Sequence, residues 1–224
     1  MKLIRAFMRF FFHHFYHSLS WTYDFVAAVV SVGRWRDWGR TTLPHLTGTR
    51  VLELGFGPGH LQSALNAAGF QTIGLDESRQ MCRQAAANLS QKGFPLRLTR
   101  GQTESLPFAS DSFDSLVATF PSEYIVAAET LSEAWRVLKS GGRLVVALSA
   151  LPGSASLPDR AAAWLFRVTG QGGMITGEIE DRLKAYFTAG RFTVSLIRAE
   201  VRQSTVILVV AEKPANAQTF ESTE

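Results

Sequence analysis

The chain has 224 residues, 46% of them hydrophobic, with a single cysteine and a formal net charge of +4. This length fits one domain with additions and a full core. The lone Cys82 excludes an intrachain disulfide framework and a cysteine-based zinc site, which suits a reducing cytoplasm. The charge is local: residues 1–40 carry Lys2, Arg5, Arg9, Arg34, Arg36 and Arg40 against Asp24 and Asp37. The remainder is balanced, so no general nucleic-acid-binding surface is expected.

An N-terminal segment, residues 1–46, comes first in chain order. In residues 1–20, MKLIRAFMRFFFHHFYHSLS, a spacing of three or four places Lys2, Arg5, Arg9, His13 and His17 on one helical face. Ile4, Met8, Phe11, Phe12, Phe15 and Leu19 take the other face. Charges interrupt the apolar run and no small-residue cleavage site follows, which argues against a signal peptide. No uncharged apolar run approaches the length of a membrane span. A basic, aromatic amphipathic helix remains. Two readings of it stay open: peripheral contact with a membrane interface, or packing on this chain's core or on a partner chain.

From Thr47 the pattern alternates. Strands are predicted at Arg50–Leu54, Gln71–Leu75, Leu96–Arg100, Phe113–Thr119 and Arg143–Ser149. Helices are predicted at His60–Ala68, Arg79–Gln91 and Ile125–Leu138. Two β-rich runs, Phe192–Val201 and Ser204–Lys213, are separated by only Arg202 and Gln203, so they must pair antiparallel. The expected fold is α/β, a doubly wound, Rossmann-like, seven-stranded sheet, mostly parallel with an antiparallel C-terminal hairpin. It occupies residues 47–214. An insertion rich in proline and glycine, residues 151–178, overhangs the C-terminal end of strand five as a candidate lid. The polar tail, 215–224, is expected to fray.

The run VLELGFGPGH, Val51–His60, carries the chemistry. Three glycines at alternate positions leave a buried strand and enter a helix, where a ligand can approach bare backbone N–H groups. The last glycine of the dinucleotide pattern G-x-G-x-x-G is absent. Instead, Glu53, Gly55, Gly57 and Gly59 form E-x-G-x-G-x-G, which resembles motif I of the class I S-adenosylmethionine-dependent methyltransferases. Three further stretches resemble that family: Asp76 ending strand two in TIGLDES; GQTESLPF, with Gln102 where the family has Asp; and DSFDSLVAT followed by LSEAWRVLKSGGRLVV, with Ser140 in place of a proline.

The resemblance implies S-adenosyl-L-methionine as cofactor and calls for no metal. It assigns the methionine end of the cofactor to Glu53 and the turn Gly55, Phe56, Gly57 and Gly59. Asp76, with Glu77, takes the ribose, although Asp76 also reads as a helix N-cap. Met81 and the loop Gln102, Thr103 and Glu104 take the adenine, and the Thr119–Phe120 backbone lies near the amino group.

The stretch YDFVAAVVSVGRWRDW is similar to the lead-in of the ubiquinone/menaquinone-biosynthesis C-methyltransferases at Tyr23, Asp24, Ser31, Gly33 and Trp38. A small, lipophilic, quinone-like acceptor follows as the expectation. TFPSEYI after strand four departs from that group, which leaves a different small molecule open as acceptor. The catalytic candidates are Glu123 and Tyr124, with His60 a helix-face residue; no base is required if the acceptor is a phenol or an activated ring carbon. A cofactor-binding assembly factor without catalysis is the alternative from another class.

Overall fold

In β1 (Arg50–Leu54), Leu52 and Leu54 face one layer, while Val51 and Glu53 face the other. The computed structural model describes residues 34–152 and 177–215. The amphipathic run 1–20, Tyr23, Asp24, Ser31 and Gly33, nearly all of the 151–178 insertion, and the tail beyond Ala215 lie outside those residues. In chain order the elements after β1 are α2 (His60–Ala67), β2 (Gln71–Asp76), α3 (Arg79–Gln91), β3 (Leu98–Arg100) and β4 (Phe113–Thr119). They continue with α4 (Ala128–Val137), β5 (Leu138–Pro152), α5 (Gly177–Ala189), β6 (Thr193–Val201) and β7 (Ser204–Glu212); α1 (Trp35–Arg40) precedes them all.

The sheet order is β3-β2-β1-β4-β5-β7-β6. β1 to β5 pair in parallel, and β7 runs antiparallel to both β5 and β6. The hairpin and the seven-stranded doubly wound sheet are therefore as the sequence predicts. The strand order reverses at β1 and β4, so the crevice beyond their carboxyl ends is where such a fold receives ligands.

Alternation along the strands splits the core. Leu52, Leu54, Leu116, Leu144 and Val209 face α4 and α5, where Leu131, Ala134, Val137 and Phe187 cover them. Val51 and Val117 face Leu61 and Leu65 of α2. On that same α2 side, Trp38 of α1 is 1% exposed and packs on Ala147, Ala150, Val206 and Leu208. Through Trp38, the described residues ahead of Thr47 are tied to the sheet.

Several boundaries differ from expectation, and the larger shifts have local reasons. β3 begins at Leu98 because Leu96, next to Pro95, is left 55% exposed outside the ladder. The predicted helix at Ile125–Leu138 is broken: a 3-10 turn spans Glu123–Val126, and extended backbone at Ala127 starts α4 one residue later. β5 outruns its prediction because β7 pairs with it as far as Pro152↔Ser204.

Candidate cofactor site at the carboxyl end of the first strand

The turn after β1 is held in a conformation that glycine reaches without strain. Gly55, Gly57 and Gly59 have φ of 72°, 50° and 81°. The Gly55 N–H donates to the Leu75 carbonyl at 2.8 Å, so the turn starts anchored to β2. A Cβ on Gly59 would stand 2.9 Å from the Ala85 Cβ, so glycine here lets α3 lie close to the start of α2. Gly57 differs: among the described residues no atom lies within 4 Å of where its Cβ would be. That peptide faces open space, and Gly57, Gly55, Phe56 and Glu53 line a cleft of about 280 Å³ with Thr119 and Trp35.

Glu53 follows from the strand period. It shares a face with Val51, so its side chain enters the layer between β1 and α2, where it is 1% exposed. Burial, partly offset by a hydrogen bond with Gln62 and reinforced by the charge of Asp76, holds its carboxyl well above the usual range. Its Oε2 has no hydrogen-bond partner among the described residues. A buried carboxylate oxygen of this kind beside the cleft suits a cationic ligand group.

Asp76 ends β2, and both of its oxygens accept backbone N–H groups: Oδ2 from Gly57 at 2.8 Å and Oδ1 from Ser78 at 2.8 Å. It therefore joins the glycine turn to the start of α3. The N-cap of α3 is Ser78, whose hydroxyl accepts from the Met81 N–H. Each Asp76 oxygen retains a second lone pair for a hydroxyl donor. Glu77 is exposed and its carbonyl accepts from Arg100. Met81 is half-buried on the first turn of α3.

Other expected site residues are placed more loosely. Gln102 and Glu104 are exposed in the loop after β3, while Thr103 is buried and shares its hydroxyl with Thr130 of α4. The Phe56 ring is 3% exposed and packs over Gly74, so its side chain props the turn on β2 while its carbonyl accepts from Gly59. Phe120 has φ 51° and donates its N–H to the Ala147 carbonyl, with its ring 4.3 Å from that of Trp35. Glu123 is exposed, whereas the Tyr124 hydroxyl donates to the Leu54 carbonyl at 3.3 Å.

Sequence reasoning missed Glu133 and Arg136. On one face of α4, Arg136 donates to Glu133 and to the carbonyls of Leu106 and Phe108, while Glu133 accepts the Leu106 N–H at 2.6 Å. The pair fastens the 102–108 loop and lowers the Glu133 carboxyl pKa, chiefly through the Arg136 hydrogen bond. The i,i+3 spacing of Glu and Arg in LSEAWRVL was the available signal.

Sheet order, glycine turn and acidic strand end together define a Rossmann-like nucleoside-binding fold. A methyltransferase-domain family matches residues 52–146. The chain is 28% identical over 140 residues to a ubiquinone/menaquinone biosynthesis C-methyltransferase of Geotalea uraniireducens, covering 58% of this chain and 60% of that protein. It is 31% identical over 161 residues to a demethylmenaquinone methyltransferase of Thermobifida fusca, covering 68% of this chain and 66% of the relative. The match thus spans less than two thirds of either relative's length. In fold it is similar to a methyltransferase from Aquifex aeolicus, with a TM-score of 0.57, 16% identity, and coverage of 80% of this chain and 92% of that one. The chain belongs to the class I S-adenosylmethionine-dependent methyltransferases. S-adenosylmethionine is the cofactor that goes with that membership, and the donor set fits it: an orphaned buried carboxylate, an open glycine peptide and a second carboxylate with spare lone pairs.

Proposed function

We propose that the protein transfers a methyl group from S-adenosylmethionine to a small, lipophilic, quinone-like acceptor. The observation that carries the reading is Glu53, a buried carboxylate with an oxygen that has no partner among the described residues, beside an open glycine turn. Glu53 with the turn Gly55 to Gly59 would hold the methionine end, and Asp76 with Glu77 the ribose. Met81 and the 102–104 loop would face the adenine, and the Thr119–Phe120 backbone the amino group. The relatives named for quinone biosynthesis support the acceptor class.

When bound, the cofactor supplies an already activated methyl group. The chain's own work is then to orient the acceptor in line and exclude water. Trp35 and Phe120 form an aromatic wall next to Thr119 on the β4 side, suited to an apolar ring. A phenol or an activated ring carbon needs little help with its proton, so the exposed Glu123 need not be a base. The basic, aromatic residues 1–20 would keep the crevice at a membrane surface where such acceptors concentrate. Among the described residues, no helix is long and apolar enough to cross a membrane.

The test is incubation of the full chain with isotopically labelled S-adenosylmethionine and demethylated quinols in anionic vesicles. Labelled methylated quinol and S-adenosylhomocysteine are expected in equal amounts. Cofactor binding without turnover on any lipid extract would instead favour the non-catalytic assembly factor.

A further inference from the structure

The switch point between β1 and β4 is spanned by a contact that neither strand makes. The two strands pair as far as Glu53↔Val117, and Leu54 lies one residue beyond. β4 then follows β5 to Thr119↔Ala147, so β1 and β4 part where the cofactor turn begins. The 3-10 turn at Glu123–Val126 returns across this opening. Its Ile125 is buried in the main core, and Tyr124 packs against the same cluster. From that footing the Tyr124 hydroxyl donates to the Leu54 carbonyl at 3.3 Å and stands 2.6 Å from where a Cβ on Gly55 would be.

We propose that Tyr124 is a positioning residue for the cofactor turn, setting the Leu54–Gly55 peptide from the acceptor side of the crevice. This rests on the methyltransferase reading above. Gly55 has φ 72°, a conformation glycine leaves easily because it loses more freedom on ordering than any other residue. Leu75 holds the Gly55 N–H from the β2 side, and Tyr124 holds the preceding carbonyl from the β4 side. With both restraints the turn is set before ligand arrives, so binding does not have to order it. The role assigned to the Tyr124 hydroxyl is thus to hold the Leu54 carbonyl, a matter of geometry rather than of proton removal. The glycine at 55 is then required twice, by its φ and by the hydroxyl above it.

The experiment is calorimetric titration of S-adenosylhomocysteine into the full chain and into Tyr124→Phe, Gly55→Ala and the double variant, with a thermal melt of each. Tyr124→Phe keeps the ring and should melt within about 2 °C of the wild type, while affinity falls roughly three- to tenfold. Gly55→Ala should cost less affinity in the Tyr124→Phe background than in the wild type, since one of its two penalties is gone. Unchanged affinity in Tyr124→Phe, or strictly additive variants, overturns the proposal. So does a melt that drops in step with affinity, which would make the hydroxyl a plain stability contact. Lost turnover with normal affinity would assign Tyr124 to proton transfer instead. If the wild type itself binds no S-adenosylhomocysteine, the methyltransferase reading has failed, and that outcome is separate from any behaviour of the variants.

Discussion

The two ends of the sheet use the same chemical group in opposite ways. At the carboxyl end of β1, Glu53 is buried with one oxygen unpartnered among the described residues, and burial drives its pKa up. At the amino end of β4, Asp114 accepts from Thr49 and Arg50 N–H groups at 2.9 and 2.8 Å and from Lys139 Nζ at 2.6 Å. Burial raises its pKa too, but those hydrogen bonds outweigh it and hold the carboxyl at about 2. Nearby, Lys213 donates to Asp111 and to the carbonyls of Trp135 and Leu138. One end of the sheet is closed by satisfied polar contacts. The other carries an unsatisfied group that a ligand can complete, as expected when stability is set aside at a site.

The largest expected effect is at Glu53. Glu53→Gln keeps the shape and removes the charge, and S-adenosylhomocysteine affinity measured by calorimetry should fall roughly ten- to hundredfold. Fold stability should hold or rise at neutral pH. An acid with a raised folded pKa binds its proton more tightly folded than unfolded, so its contribution weakens as pH climbs from 4.5 through the folded value. Glutamine abolishes that loss. A drop in stability with normal affinity would break the contrast.

Asp114→Ala should show the reverse. It leaves two backbone donors and a lysine without their acceptor, and chemical denaturation should register a loss of about 2 kcal/mol. Cofactor affinity should not change.

The glycine turn gives a smaller effect. Gly57→Ala meets no atom of the described residues but keeps φ 50°, so it should cost about 1 kcal/mol in stability. Gly59→Ala, facing Ala85, should cost more, and the two variants compared by thermal melt separate backbone strain from crowding.

The smallest effect is in acid. Because the Asp114 pKa is depressed, its stabilisation is present above the ordinary value of 3.8 and is lost as pH falls through about 2. Allowing for solvent screening of this partly exposed group, that loss should be about 1 kcal/mol. Acid denaturation of Asp114→Asn should lack it.

Much of this was legible because it depends on near neighbours. Apolar, β-rich runs located β1, β4 and the C-terminal hairpin, and the two-residue link at Arg202–Gln203 required antiparallel pairing. The turn from Glu53 to Gly59 and the acid at Asp76 were readable as a spacing. The polar partners within that spacing were not. Of the two readings of Asp76, the helix N-cap goes to Ser78, while Asp76 accepts the Gly57 N–H of the glycine turn. The Thr103 hydroxyl meets Thr130 of α4, a partner that no local pattern announces.

What the sequence determined by itself is the order and kind of the elements, because hydrophobic period and turn chemistry act over a few residues. What only the tertiary structure decided is which polar groups are satisfied and which are not. Tyr124 reaches Leu54 across 70 residues and Asp114 reaches Arg50 across 64. Such partners meet only after the strands have taken their places, and a hydrogen bond is lost within an ångström or so of misplacement.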